Sequence, residues 1–176
     1  TMKKLLMIAS VAILAACSAP QEQEQEQEET MAPVERAIGF NTFLPDNQWY
    51  LGTEATIQVV KDLDKVWSEQ NYEAMMPYFV DTCKFFFPDG AVLESPQAFV
   101  ERIKEDDDGS EVSWTFDYAF SVDLDPTRGG EHVHAGFTGS SVNGNDTTMK
   151  SYHERYYIIE GKIVMWHQYT QDIKGE

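Results

Sequence analysis

Four histidines and one strand glutamate are the side chains of this 176-residue sequence whose types and spacing suit proton transfer. His132 and His134 stand two apart, His153 sits beside Glu154, and His167 precedes Gln168. Residues two apart on a strand share a face. His132-x-His134 therefore sets two imidazoles on one face, a spacing that metals use. His153 has the opposite parity from Glu154, and His167 from Gln168, so a third ligand is not assured and no metal site is assigned. A histidine–carboxylate pair in a dry pocket moves a proton near neutral pH, because burial and pairing tune both pKa values. His134 and Glu154 are the candidate pair, provided both face the same interior.

Other chemistry-bearing motifs are weaker. Asp106-Asp107-Asp108-Gly109 followed by Glu111 lacks the twelve-residue calcium loop pattern and reads as solvated surface. Gly129-Gly130 is a turn, because neither a helix nor Lys-Ser/Thr follows it. No cofactor motif appears. Cys83 lies in an apolar run with no positive charge beside it, which describes an inert buried thiol.

The elements that must position these groups follow from periodicity. Thr53 caps a predicted helix in which Ile57, Val60, Leu63 and Trp67 recur at helical spacing. A second short helix is predicted over Tyr72 to Phe79, and an apolar strand over Cys83 to Phe87. Pro88-Asp89-Gly90 then turns the chain. Ser95-Pro96 opens a third helix, with serine as cap and proline at the first position, where its missing N–H costs little. The rest reads as strands at 112–124, 131–141, 147–160 and 162–171. Along the first of these, Val112, Trp114, Phe116, Tyr118, Phe120, Val122 and Leu124 share one face, with Ala119 the exception on the other. That alternation predicts one long strand with a single buried side. Helices segregated from an antiparallel sheet define the α+β class.

Composition and the N-terminal segment bound the function. Thirteen Lys+Arg against 30 Asp+Glu give a net charge of −17. That excludes nucleic acid as a partner, since a phosphate backbone needs clustered cations. Lys3 and Lys4 precede an apolar run from Leu5 to Ala16, too short for the ~20 helical residues a bilayer requires. Leu14-Ala15-Ala16-Cys17 resembles the lipobox of bacterial lipoproteins. The resemblance implies that residues 1–16 are a signal peptide and that Cys17 is lipidated. Anchoring in the bacterial cell envelope follows; Ser18 is not the aspartate of inner-membrane retention, which points to the outer membrane with its periplasmic or surface side open. Residues 17–30, with alternating Gln and Glu, have no apolar face and form a solvated tether. Residues 31–52 are an irregular arm packed on the domain that occupies 53–173.

Three stretches resemble the nuclear transport factor 2-like superfamily, in its SnoaL-like branch. They are Val66–Phe79 at the first helix passage, Phe85-Phe86-Phe87-Pro88-Asp89-Gly90 at the first-strand turn, and His153–Val164 at the last hairpin, with its Gly-Lys-Ile core. The resemblance implies a cone-like curved antiparallel sheet wrapped around three helices, an interior pocket and often a homodimer. It also implies that the hairpin face carrying Glu154, Tyr156, Trp166 and Gln168 lines the pocket. Hydrophobicity sends Val133, Ala135 and Phe137 inward. Counting back from Asn143-Gly144 by the family pattern instead sends His132 and His134 inward, and that register is taken here, with a dimer interface covering the apolar set; a one-residue bulge would invert it. The expected pocket then joins His134, Glu154, Tyr118 and Gln168 to an aromatic wall of Trp114, Phe116, Tyr156 and Trp166. Phe87 and Leu63 stand where ketosteroid isomerases of this fold carry a basic aspartate and an oxyanion tyrosine, so that reaction lacks its groups. Two functions remain. One is non-catalytic binding of a small apolar or aromatic ligand, or of an envelope protein. The other is a SnoaL-like lyase, isomerase or hydrolase using His134 and Glu154.

Overall fold

The computed structural model describes residues 39, 42, 48–106 and 109–174. The expected signal peptide, Cys17, the tether and most of the arm lie outside the described residues. The arm's last residues, Tyr50–Leu51, form strand β1 against Asp123 and Val122.

Helix α1 spans Glu54–Ser68 and buries Val60 and Leu63 on the predicted stripe. Thr53 holds the extended backbone of a cap, but its hydroxyl turns away from the helix and donates to Glu131 at 3.0 Å, while its N–H reaches the same carboxylate at 2.6 Å. The second helix is shorter than predicted. Helix α2 covers Tyr72–Met75, capped by Asn71, and Pro77 confines the continuation to a 3-10 turn at Met76–Tyr78. Strand β2 therefore starts at Phe79 and runs to Phe86. After the turn and the short strand β3 (Val92–Leu93), helix α3 spans Pro96–Glu105. Ser95 caps it through the Ala98 N–H at 3.2 Å, as predicted.

Four long strands complete the chain: β4 (Glu111–Asp123), β5 (Gly130–Asn143), β6 (Asp146–Ile159) and β7 (Lys162–Ile173). The sheet order is β1-β4-β5-β6-β7-β2-β3, curved and unclosed, and every pairing is antiparallel except β2 with β7. One face meets the helices. Its core holds Val60, Leu63, Phe85, Phe99, Val133, Ala135, Tyr156, Ile163 and Trp166.

Two bulges decide which side chains reach that core. In β4, Phe116 pairs with Phe137 and Tyr118 with Gly136, leaving Asp117 as the extra residue. The inner face passes from Trp114 and Phe116 to Ala119 and Ser121, and Ser121 is buried. Tyr118, Phe120 and Val122 turn to the outer face, where Tyr118 is 49% and Phe120 46% exposed. The predicted single buried face of 112–124 is thus corrected at Asp117, because a bulge inverts the alternation beyond it. In β7, Tyr157 pairs with Met165 and Ile158 with Ile163, so Ile163 and Trp166, of opposite parity, are both buried.

Candidate functional site

A cavity of about 190 Å³ opens between α1 and the inner face of β4, β5, β6 and β7. Its helix wall is Leu63, Asp64 and Trp67; its sheet walls include Trp114, Phe137, Gly139, Tyr152 and Tyr156, with Glu154 and Gln168 as the polar groups of the hairpin. Gly139 lets the Tyr152 ring lie directly against strand β5. A Cβ there would stand 2.7 Å from the Tyr152 ring.

Glu154 is buried, and its carboxyl is held by side chains of its own hairpin. Register places it opposite Gln168 on β7, and Tyr156 opposite Trp166. Tyr156 Oη and Trp166 Nε1 (3.0 Å) donate to Oε2, and Gln168 Nε2 donates to Oε1 at 2.9 Å. Burial raises the Glu154 pKa above the ordinary carboxylate value; the three donors oppose this shift without cancelling it. Burial and the adjacent Glu154 likewise push the Tyr156 hydroxyl up. A carboxyl in this state can stay protonated where an exposed glutamate would have ionised.

Asp64 is the second carboxyl side chain of the cavity, and no strand parity or motif singles it out. It accepts from Trp114 Nε1 at 2.8 Å. Its signal was present in the helical spacing: Asp64 stands four residues after Val60 and three before Trp67, on the buried stripe. Tyr152, Ser113 and Val112 also line the cavity.

The structure brings together Trp114, Glu154, Tyr156 and Gln168 of the expected group. Trp166 stands behind them, 1% exposed, and reaches the cavity's chemistry only through Glu154. Phe116 packs on Phe137 with ring centroids 4.7 Å apart and is not among the lining residues. Tyr118 lies on the outer face.

The inward placement of His134 is corrected. Register sets Ala135 opposite Glu154 and His134 opposite Arg155, so His134 and Glu154 occupy opposite faces. Val133 and Ala135 are fully buried beneath the helices. Burial of three apolar side chains outweighs burial of two imidazoles, and no partner chain is needed to cover Val133, Ala135 and Phe137.

All four histidines share the outer face. His134 Nδ1 lies 3.1 Å from His153 Nε2, and His153 Nδ1 lies 3.1 Å from Tyr118 Oη. His134 stacks on Phe120 at 5.0 Å, His132 on Tyr157 at 4.5 Å and His167 on Phe86 at 4.1 Å. Burial, then the Arg155 charge, lowers the His132 pKa to about 4, and the same two causes lower that of His167. His134 is lowered by burial, then by His153 and Arg155. Among the described residues, no group of three or more His, Cys, Asp or Glu is placed to hold a metal ion.

Leu63 lines the cavity and Phe87 packs edge-on against Trp166 at 5.3 Å, so neither position supplies a proton-transfer group. The Cys83 thiol is fully buried, and burial pushes its pKa up to about 12.

No family model and no curated protein matches the chain. Solved structures do match in fold. An LEH-like epoxide hydrolase of M. tuberculosis superposes with a TM-score of 0.53 at 9% identity, covering 68% of this chain and 84% of that one. The beta subunit of the benzoate 1,2-dioxygenase from Burkholderia mallei gives 0.55 at 13% identity, covering 69% and 92%. A nuclear transport factor 2-like protein from Burkholderia xenovorans gives 0.51 at 12% identity, covering 69% and 93%. The chain has the nuclear transport factor 2-like fold, the cone-like α+β architecture expected from its sequence.

Proposed function

We propose that this protein is a SnoaL-like envelope lipoprotein that binds a small ligand in the cone without transforming it. Lipid on Cys17 and the acidic tether hold the domain at the membrane of a bacterial envelope. The observation that carries the reading is the state of Glu154. Its two oxygens are already taken by three donors of the same chain, in a cavity whose lining includes five aromatic side chains. A carboxyl bound in this way supports a fixed polar patch in the lining more readily than a free general base.

Native mass spectrometry of the mature protein, purified from its own membrane, tests the reading. The expected result is acyl mass on Cys17 and one non-covalent small molecule, lost in Trp114→Ala. A mature chain without acyl mass overturns the anchor, and an empty wild-type cavity overturns the binding reading. The same spectra count subunits, since the exposed outer-face rings Tyr118, Phe120 and Tyr169 suit an envelope protein or a second copy.

A second reading is favoured by the raised pKa of Glu154 beside Asp64. An enzyme in this cavity would run on that carboxyl pair, with Glu154 as the acid, rather than on His134 with Glu154. The likeness to an epoxide hydrolase supports this reading in outline. Turnover of a small epoxide or enone, abolished by Glu154→Gln, would establish it.

A further inference from the structure

We infer that the occupant of the cavity is a small organic cation, an amine carried on a single ring or a body of similar size. The inference rests on the ligand-binding reading above and adds the chemical class. Among the described residues, the cavity is lined by two carboxyl side chains, Asp64 and Glu154, and by no lysine, arginine or histidine. Arg155 and the four histidines belong to the opposite face of the sheet; Lys150, paired with Gly139 and Asp172, shares the cavity's face but is exposed and is not among the lining residues.

The aromatic lining agrees with the carboxyl groups. Trp67 and Trp114 meet edge to face, with centroids 6.4 Å apart, and Tyr152 adds a third ring. Aromatic faces carry negative potential and attract an ammonium group. Trp114 has a double role: its indole N–H fixes Asp64, and its ring forms wall. An ionised carboxylate only accepts hydrogen bonds, so the ligand must bring the donors. A protonated amine brings up to three together with the compensating charge. A neutral molecule could at most donate a hydrogen bond to Asp64 without compensating charge, and an anion would face two carboxyl groups with no counter-charge among the described lining residues. Size permits a single ring with a short arm, since an apolar cavity of about 150 Å³ already admits benzene.

The experiment is calorimetric titration of the full chain with three isosteres: benzylamine, benzyl alcohol and benzoate, at pH 7. Xenon-129 NMR reports independently whether the cavity admits a neutral guest. The expected result is that benzylamine binds about tenfold or more tighter than benzyl alcohol and that benzoate does not bind. Asp64→Asn should reduce benzylamine to the affinity of the alcohol while xenon uptake persists; Asp64→Ser serves the same purpose if the asparagine variant melts early. Equal affinity for amine and alcohol, or preference for benzoate, overturns the cation and leaves the ligand cavity standing. Xenon uptake with no benzylamine binding does the same. Exclusion of all four probes overturns the cavity reading itself.

Discussion

Trp114 donates its indole N–H to Asp64 at 2.8 Å, tying the first long strand to helix α1 across 50 positions of sequence. The bond fixes a carboxyl side chain in the lining of the cavity and orients the ring that forms part of its wall.

Trp114→Phe keeps most of the ring and removes the N–H. Asp64 is half-buried, so water can reach it and replace part of the loss. The expected destabilisation is about 1–2 kcal/mol. A urea titration should show a lower midpoint with an unchanged slope. An unshifted midpoint would mean that the bond contributes nothing net.

Two buried groups give opposite pH slopes. Glu154 has a folded pKa above its unfolded value, so the stability it contributes is fully present below pH 4.5 and is lost as pH rises through the folded value. Glu154→Gln should flatten that decline. Its melting temperature, measured from pH 4 to 8, should change less with pH than that of the wild type.

His132 acts the other way. Its pKa falls from 6.5 to about 4 on folding, so the folded state favours the neutral ring. Full stability is present above pH 6.5 and is lost as pH falls toward 4. His132→Phe keeps the stack on Tyr157 and removes the proton site. The variant should retain about 1–2 kcal/mol more of its neutral-pH stability at pH 4.5 than the wild type retains, after allowance for solvent screening of a half-buried ring. Chemical denaturation at the two pH values is the check.

The β4 bulge lays the Tyr118 ring across Gly136, where a Cβ would come within 2.1 Å of Cε1. Gly136→Ala should push the ring away, break its bond to His153 and cost about 1–3 kcal/mol. In Tyr118→Ala the same glycine substitution should be nearly neutral. A double-mutant cycle with no coupling would contradict the outward turn of Tyr118.

Glu131 accepts from the Thr53 N–H and from the hydroxyls of Thr53, Thr56 (2.7 Å) and Ser121 (2.8 Å). Burial alone would raise its pKa, but the Thr53 N–H and the hydroxyls together hold it below the ordinary value. Glu131→Ala leaves the buried Ser121 hydroxyl without this acceptor and should cost about 2–3 kcal/mol, read from the denaturation midpoint.

The sequence alone determined the class of fold, the order of the elements, the Ser95 cap and the Glu154–Tyr156–Trp166–Gln168 face of the last hairpin. The first three follow from local rules, helical spacing, strand parity and capping; the hairpin face followed from the family resemblance, since the turn at Gly161 alone would pair Glu154 with His167 and the β7 bulge shifts it to Gln168. Ala119 was the visible trace of the bulge at Asp117, an apolar residue on the polar face, yet one residue out of step cannot by itself locate where an alternation inverts. Only the tertiary structure decided the rest. His134 faces away from Glu154 because β5 buries Val133, Ala135 and Phe137 against the helices, and two parities of one strand cannot both face inward. The helical spacing put Asp64 on the buried stripe of α1, but its partner came only with the fold: a strand 50 residues away brought the Trp114 N–H to it, and hydrogen bonds between distant elements leave no periodicity in the chain.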